Sequence, residues 1–310
     1  MITVLGATGN TGRRIVARLL AAGEHVRAVG RDAGRLAAAA PGAEARVGDV
    51  GDREFLSAAV AGADAAYAMM PFDPFEAGYD EQQRRVGESI AAALSGVPYV
   101  VALSSLGAEL DSDTGFLRSL HDQERRLAGR RVLFLRPGMF FESFAVSRDA
   151  LDAVRARGVH ADSIDPDLAL PMVAAADVAD VAARALLTRS RTGVREVLGP
   201  RDRTVREVVA ALGPRIGVPG LSYLRVPDQA VVEALVAAGL PADVADLQVR
   251  MNAAFNRGAV RSLAGRSPAT ASPTEFETWA DVGSADRGLQ ATPGGAATSG
   301  EVWAVPSRSS

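Results

Sequence analysis

The sequence predicts an α/β fold, a doubly wound parallel sheet of the Rossmann-like kind with a small C-terminal α/β lobe. Three observations carry this expectation. Short apolar runs alternate with helix-period segments over the first 140 residues, a glycine-rich loop joins the first run to the first helical segment, and the pattern loosens after Pro137. Alternating strands and helices mark a parallel sheet covered on both faces.

The elements follow in order. Ile2 to Leu5 is a short β-branched apolar run, as a buried parallel strand requires. Arg13 to Ala22 places Ile15, Val16, Leu19 and Leu20 at helical spacing, and Gly23 ends it as a C-cap glycine would. His25–Val29 is the second strand. Further strands are expected at Ala43–Val47, Ala65–Met70, Tyr99–Leu103 and Val132–Leu135, with helices at Arg53–Val60, Gln82–Leu94 and Phe116–Leu127. Beyond Pro137, helices are expected at Ser143–Arg157, Val178–Leu187, Val205–Leu212, Gln229–Ala238 and Asp243–Phe255, and strands at Arg195–Leu198 and Ser222–Val226, all in a smaller lobe at the strand ends. The chain therefore reads as one domain over residues 1–282: a nucleotide core to about 140, a lobe over about 141–261 and a docked turn to about 282. Residues 283–310 are rich in Ser, Thr, Gly, Pro and Ala and read as a disordered tail.

Composition narrows the chemistry. Of 310 residues, 48% are apolar, enough to bury a sizeable core, and the net charge of −3 argues against direct nucleic-acid binding or an anionic membrane surface. No apolar run reaches transmembrane length and no secretory signal is evident, so a cytoplasmic location is expected. With no cysteine and only His25, His121 and His160, no metal-ligand spacing appears. All 34 basic residues are arginine. Without lysine, no Schiff base, lysine base or lysine-assisted tyrosine is available.

The loop Gly6-Ala7-Thr8-Gly9-Asn10-Thr11-Gly12 has GxxGxxG spacing and lies between a strand and a helix. Gly6 allows a tight exit from the strand, Gly9 lets the backbone approach a pyrophosphate, and Gly12 allows close helix–strand packing. The helix start adds unpaired N–H groups, and Thr8, Asn10 and Thr11 add side chains that can reach phosphate or ribose. After the second strand, where an NAD site carries an acid, stands Gly30-Arg31, with Arg35 one turn further. A guanidinium grips a 2′-phosphate, so NADPH is expected over NADH. Asp49, in Gly48-Asp49-Val50, suits contact with adenine, the Val50 N–H reading a ring nitrogen; the alternative is a helix cap, for which Asp52 is better placed.

These residues resemble the NmrA-like branch of the atypical short-chain dehydrogenases/reductases. The resemblance rests on Val4 to Gly12, Arg31, Gly48-Asp49, Ser104-Ser105-Leu106-Gly107-Ala108, His121 with Glu124, Leu135-Arg136-Pro137-Gly138-Met139-Phe140-Phe141-Glu142, Ala176-Asp177-Val178-Ala179 and Leu198-Gly199-Pro200, and it runs from residue 1 to about 281. It implies NADP binding through Gly6 to Gly12 and Arg31. It also implies a nicotinamide site walled by Met69-Met70-Pro71, Ser104 and Gly138 to Phe140. Members include NAD(P)H-dependent quinone, flavonoid and azo-type reductases; others are redox sensors with little catalysis. The chain departs in having Ser143 where the family often has Asn, and in lacking the lysine of a Tyr-x-x-x-Lys pair.

Hydride transfer itself needs no protein nucleophile, and reducing a quinone gives a stabilised phenolate, so a weak proton donor suffices. Ser104 or Ser105, at the carboxyl end of a strand, and His121 are the candidate donors; Ser104 or Ser105 capping a turn, and His121 pairing with Glu124 or Asp122, are the structural alternatives. Phe140, Phe141 and Phe72, with Phe75, are candidates to line a pocket for a flat aromatic substrate. Tyr79 reads as a loop residue, either overhanging the site or on the surface, and Arg136 as a structural ion pair. Two functions stay open: an NAD(P)H-dependent oxidoreductase of a quinone-like acceptor, and a non-catalytic NADP(H)-binding regulator. A sugar-nucleotide epimerase is a weaker third.

Overall fold

The computed structural model describes residues 1–71, 73–144, 154 and 156–286. Seven strands form one parallel sheet: β1 (Ile2–Leu5), β2 (Val26–Gly30), β3 (Glu44–Val47), β4 (Ala65–Ala68), β5 (Val100–Leu103), β6 (Val132–Pro137) and β10 (Gly193–Val197), in the order β3-β2-β1-β4-β5-β6-β10. Strand side chains alternate between two cores, as the period of two requires. Ile2, Val4, Tyr67, Val101 and Leu133 enter one. Leu5, Ala66, Ala68, Val100 and Val132 enter the other.

Helices cover both faces. On the first lie α1 (Gly12–Ala21) and α6 (Ala175–Thr188), packed together and joined by an Arg18–Asp180 ion pair. On the second lie α3 (Arg53–Val60), α4 (Tyr79–Ala93) and α5 (Leu117–Leu127), each beside the next. The short α2 (Ala33–Ala39) follows β2 and buries Leu36. α1 buries Ile15, Val16 and Leu19, and Gly23 follows its end at φ +81°, as its sequence predicts.

The order of the sheet reverses between β1 and β4, and the chain leaves these strands in opposite directions. That creates a crevice outside their carboxyl ends, the ligand position of open α/β sheets. The remaining elements gather near β5 and β6: a three-stranded sheet of β7 (Met139–Phe140), β9 (Ala169–Val173) and β11 (Asp202–Thr204), a pair formed by β8 (Val159–Asp162) and β12 (Ser222–Arg225), and helices α7 (Val205–Leu212), α8 (Asp228–Ala237) and α9 (Ala242–Asn256).

The segment around Arg195 differs from expectation. It does not belong to the small lobe but returns to the main sheet as β10, parallel to β6, with Arg195 opposite Leu135. Most of the expected helix over 143–157 lies outside the described residues; before it, Phe141–Phe144 is a 3-10 turn. The last described helix, α10 (Phe276–Asp286), is longer than the single turn expected, and the rest of the expected tail lies outside the described residues.

The stretch before α10 is tied down by buried charge. Glu196 accepts from Leu263 and Ala264 N–H, Asp177 accepts from Thr274 N–H and hydroxyl, and Arg203, 2% exposed, donates to Glu275 and Glu277. Glu142 joins three elements: its carboxylate accepts from Ala175 N–H at the start of α6 and from Trp279 Nε1 on α10. Burial raises the Glu142 pKa, and those donors hold it back.

Candidate functional site

The glycine loop is held in one shape. Gly6 sits at φ +65°, where an added Cβ would lie 2.8 Å from Met69 Sδ. At Gly12 a Cβ would lie 2.1 Å from the Gly6 carbonyl oxygen, so α1 starts directly against the loop backbone. The Gly9 N–H donates to Gly6 O and Ala7 N–H to Val29 O, fixing the turn. The N–H groups of Thr8, Thr11 and Gly12 find no acceptor among the described residues, and Thr11 and Gly12 are buried. Buried donors are rarely left orphaned. An anion at this helix start would satisfy them.

The Thr11 side chain has a different use from the expected one. Its hydroxyl is buried and paired with the Tyr67 hydroxyl of β4 at 3.0 Å. It pins the start of α1 to the central sheet, which leaves the Thr11 backbone, not its side chain, for a ligand. Asn10 carries its carbonyl to Arg14 at 2.6 Å. Tyr67 is a residue that sequence reasoning missed, since nothing local distinguishes it from a core tyrosine.

At the end of β2, Arg31 is exposed and makes no ion pair among the described residues. Asp32 is committed to α2 as its N-cap, accepting from Arg35 N–H at 2.7 Å. Arg35 thus starts beside Arg31 in the first turn of α2, half-buried. After β3, Asp52 caps α3, while Asp49 folds its Oδ1 back onto Gly51 N–H at 2.7 Å. Asp49 is therefore not the helix cap, and its second oxygen remains available. The Val50 side chain is buried and its N–H has no acceptor among the described residues.

Beyond β5 and β6 opens a cleft lined by Ser104, Ser105, Pro137, Gly138, Met139, Phe140 and Ser143, with Pro171 behind and Met251 and Phe255 of α9 across from them. Close backbone contacts build it. A Cβ on Gly138 would lie 2.5 Å from Pro171 O, and one on Gly115 2.1 Å from Leu247 O of α9. Met251 and Phe255 lie too far along the chain to be foreseen as partners of Ser104. Met70 is buried in the core on the α3–α5 side, and Met69 on the opposite side.

Beneath the cleft lies an ion cluster. Arg136 of β6 donates to both oxygens of Glu124 on α5, at 2.9 and 2.7 Å, and to Glu109 at 2.7 Å. Burial opposes the Arg136 charge, but Glu124, Glu109 and the neighbouring Glu196 still raise its pKa. The Ser104 hydroxyl donates to Glu124 at 2.6 Å. Arg136 is thus the ion pair its sequence predicts, and Glu124 is its partner, not that of His121. The His121 Nδ1 lies 2.9 Å from Ala108 O; since a carbonyl only accepts, Nδ1–H is the donor of this bond. His121 does not line the cleft, whereas Ser105 does, and its hydroxyl has no partner among the described residues.

Two aromatic assignments are corrected. Phe141 is 1% exposed and packs edge-on against Phe276 and tilted against Trp279, so it belongs to the anchor of α10 and not to the cleft. Tyr79 is neither overhanging nor on the surface. It is the first residue of α4, 3% exposed, with its hydroxyl against Ser119 at 2.9 Å and its ring edge-on to Phe116. Phe75 packs against the core beneath the α3–α5 face, and Phe72 lies outside the described residues.

The family model described as the NmrA-like family matches residues 1–280. The chain belongs to the NmrA-like family. The resemblance read from the glycine loop and the Arg136 to Glu142 segment is borne out. One relative of this NmrA-like protein, a (4-alkanoyl-5-oxo-2,5-dihydrofuran-3-yl)methyl phosphate reductase of Streptomyces griseus, is 33% identical over 223 residues, 71% of this chain and 75% of the relative. Quinone oxidoreductase 2 of Escherichia coli is 27% identical over 264 residues, 83% of this chain and 89% of that one. The crystal structure of the Escherichia coli NADPH-dependent quinone oxidoreductase complexed with NADPH superposes with a TM-score of 0.70 at 25% identity, covering 91% of this chain and 99% of that one.

Proposed function

We propose that this chain is an NADPH-dependent oxidoreductase that reduces small, flat, conjugated acceptors of the quinone or unsaturated-lactone type. The observation that carries the reading is the juxtaposition of two features at the carboxyl edge of one sheet. One is a glycine loop with buried, unclaimed N–H donors; the other is an apolar cleft whose polar side chains are the hydroxyls of Ser104, Ser105 and Ser143. The residues fit a dinucleotide: Gly6, Gly9 and Gly12 shape the loop, Thr8, Thr11 and Gly12 offer N–H groups to a pyrophosphate, and Arg31 with Arg35 meets a 2′-phosphate. Asp49 and Val50 N–H take the adenine edge. Bound NADPH supplies the hydride.

The chain's own residues orient and enclose. Phe140 and Met139 from one side and Met251 and Phe255 from the other hold a flat acceptor and exclude water. A quinone that receives a hydride needs one proton to become a hydroquinone, and an unsaturated lactone needs one at the carbon next to its carbonyl. Ser105, whose hydroxyl is unclaimed, is placed to pass that proton from solvent. No lysine is required, which suits a sequence that has none. One relative is named as a dihydrofuranone phosphate reductase and the other as a quinone oxidoreductase, which supports the same class here.

The second reading is a regulator that binds the same dinucleotide without turning it over. The Ser104 hydroxyl, already committed to Glu124, favours it, because the cleft then lacks one positioned acid. An anaerobic panel of benzoquinones, naphthoquinones and butenolides, followed by NADPH absorbance, separates the two. Turnover with at least one acceptor, lowered when Phe140→Ala opens the cleft, is expected; tight NADPH binding without oxidation by any acceptor would establish the regulator.

A further inference from the structure

The part-buried ion cluster assigns a direction to the hydrogen bond at Ser104. Both oxygens of Glu124 already accept N–H bonds from the Arg136 guanidinium, through Nε and Nη2, and a carboxylate only accepts. The 2.6 Å contact between Ser104 Oγ and Glu124 Oε1 must therefore contain the serine proton. What Ser104 has left to show the cleft is a lone pair. The main chain fixes the rest: Ser104 N–H donates to Leu135 O at 2.8 Å, and β5 and β6 run in register from Val100 opposite Val132 to Leu103 opposite Leu135. Arg136 is further restrained by Glu109. Neither the hydroxyl nor the carboxylate is free to rotate away.

Resting on the dinucleotide reading above, we propose that Glu124 is a positioning residue. By taking the Ser104 proton it fixes Ser104 Oγ as an acceptor at the end of β5, where it receives an N–H of the nicotinamide carboxamide. Ser104 is then part of the binding site and not an acid, and the proton for reduction reaches the acceptor by Ser105 or solvent. The arrangement also selects one orientation of the carboxamide, its nitrogen toward Ser104, because the opposite orientation would set a carbonyl oxygen against a lone pair.

The test compares binding of NADP⁺ with that of its 3-acetylpyridine analogue, whose acetyl group has an oxygen but no N–H. Titration calorimetry reads both. The wild-type protein is expected to hold NADP⁺ about five- to tenfold more tightly, the worth of one hydrogen bond. Ser104→Ala removes only the hydroxyl and brings the ratio to about one. Glu124→Ala removes the acceptor and releases the hydroxyl to turn and donate to the acetyl oxygen, so its ratio also collapses toward one, whereas a merely structural Glu124 would weaken both ligands equally and keep the ratio. Equal binding of the two by wild type, or a ratio kept in either variant, overturns the proposal. Binding of neither by wild type would instead refute the dinucleotide reading, and this proposal with it. If Glu124→Ala does not fold, Glu124→Asp, which keeps the charge for Arg136 but withdraws the acceptor from Ser104 by one methylene, is read instead, and a ratio kept in it overturns the proposal.

Discussion

Replacing Gly12 by alanine tests the loop where the structure is most demanding. The new Cβ would be built 2.1 Å from Gly6 O, 2.8 Å from Gly6 C and 3.0 Å from Ala7 Cα, all backbone atoms that no side-chain rotation can move. Restoring ordinary contact requires the start of α1 to retreat by roughly 1 Å, an overpacking strain of about 1–3 kcal/mol. The better helix propensity of alanine returns up to about 1 kcal/mol. A net loss of about 1–2 kcal/mol lowers the Tm by roughly 2–6 °C in a chain of this size. The same retreat carries the Thr11 and Gly12 N–H groups away from a pyrophosphate. Losing one charge-assisted bond costs about 1.5–3 kcal/mol, at least tenfold in Kd. Calorimetric melting and NADPH titration read the two effects separately. An unchanged NADPH Kd in a variant with a lowered Tm would refute the pyrophosphate assignment. An unchanged Tm would refute the close approach itself.

Two further outcomes are expected. Arg31→Glu exchanges attraction for repulsion at the 2′-phosphate, worth about 2–3 kcal/mol, so the preference for NADPH over NADH falls roughly 30- to 150-fold, read from the two Kd values. Asp162 is buried, with a pKa raised to about 6 by desolvation and restrained by Ser163 N–H and Asn252. A carboxyl raised in the fold stabilises at low pH, and this contribution is lost as the pH rises through about 6. Asp162→Asn keeps an acceptor for both donors and removes that loss, so urea unfolding at pH 8 should show a gain of up to about 3 kcal/mol that vanishes near pH 4. His160, half-buried and stacked on Tyr223 with a pKa lowered to about 4 by desolvation, acts in the opposite sense and loses stability as the pH falls from 6.5. The variant should therefore also unmask a steeper acid limb.

Local signals made the nucleotide half of the molecule legible. The helix at Arg53–Val60 lies where its apolar spacing puts it, as does Val205–Leu212 in the smaller lobe, and the loop between β1 and α1 reads directly as a backbone cradle. What stayed hidden depends on contacts between distant residues. Arg195 looked like a lobe strand because its run is short and half exposed, yet it closes the main sheet against β6. Tyr79 looked like a loop residue because it follows a glycine, and becomes core only when α4 meets α5. Phe141 and Phe140 are adjacent and chemically identical; the turn at Phe141–Phe144 sends one to Trp279 and leaves the other in the cleft. The bond from Ser104 to Glu124 spans 20 residues, and no periodicity announces it.

The chain carries a glycine loop with buried, unclaimed N–H donors at a helix start and none of the lysine chemistry that would protonate a ketone. In the proposed function, hydride leaves the bound cofactor here for a conjugated acceptor. This transfer is tested most directly by a single-turnover mixture of protein, [4,4-²H₂]NADPH and a benzoquinone, followed at 340 nm without oxygen. Oxidation that is slowed by deuterium relative to unlabelled NADPH, and that fails to occur without the protein, is the predicted result. Cofactor that binds tightly and stays reduced with every acceptor in the panel would contradict it.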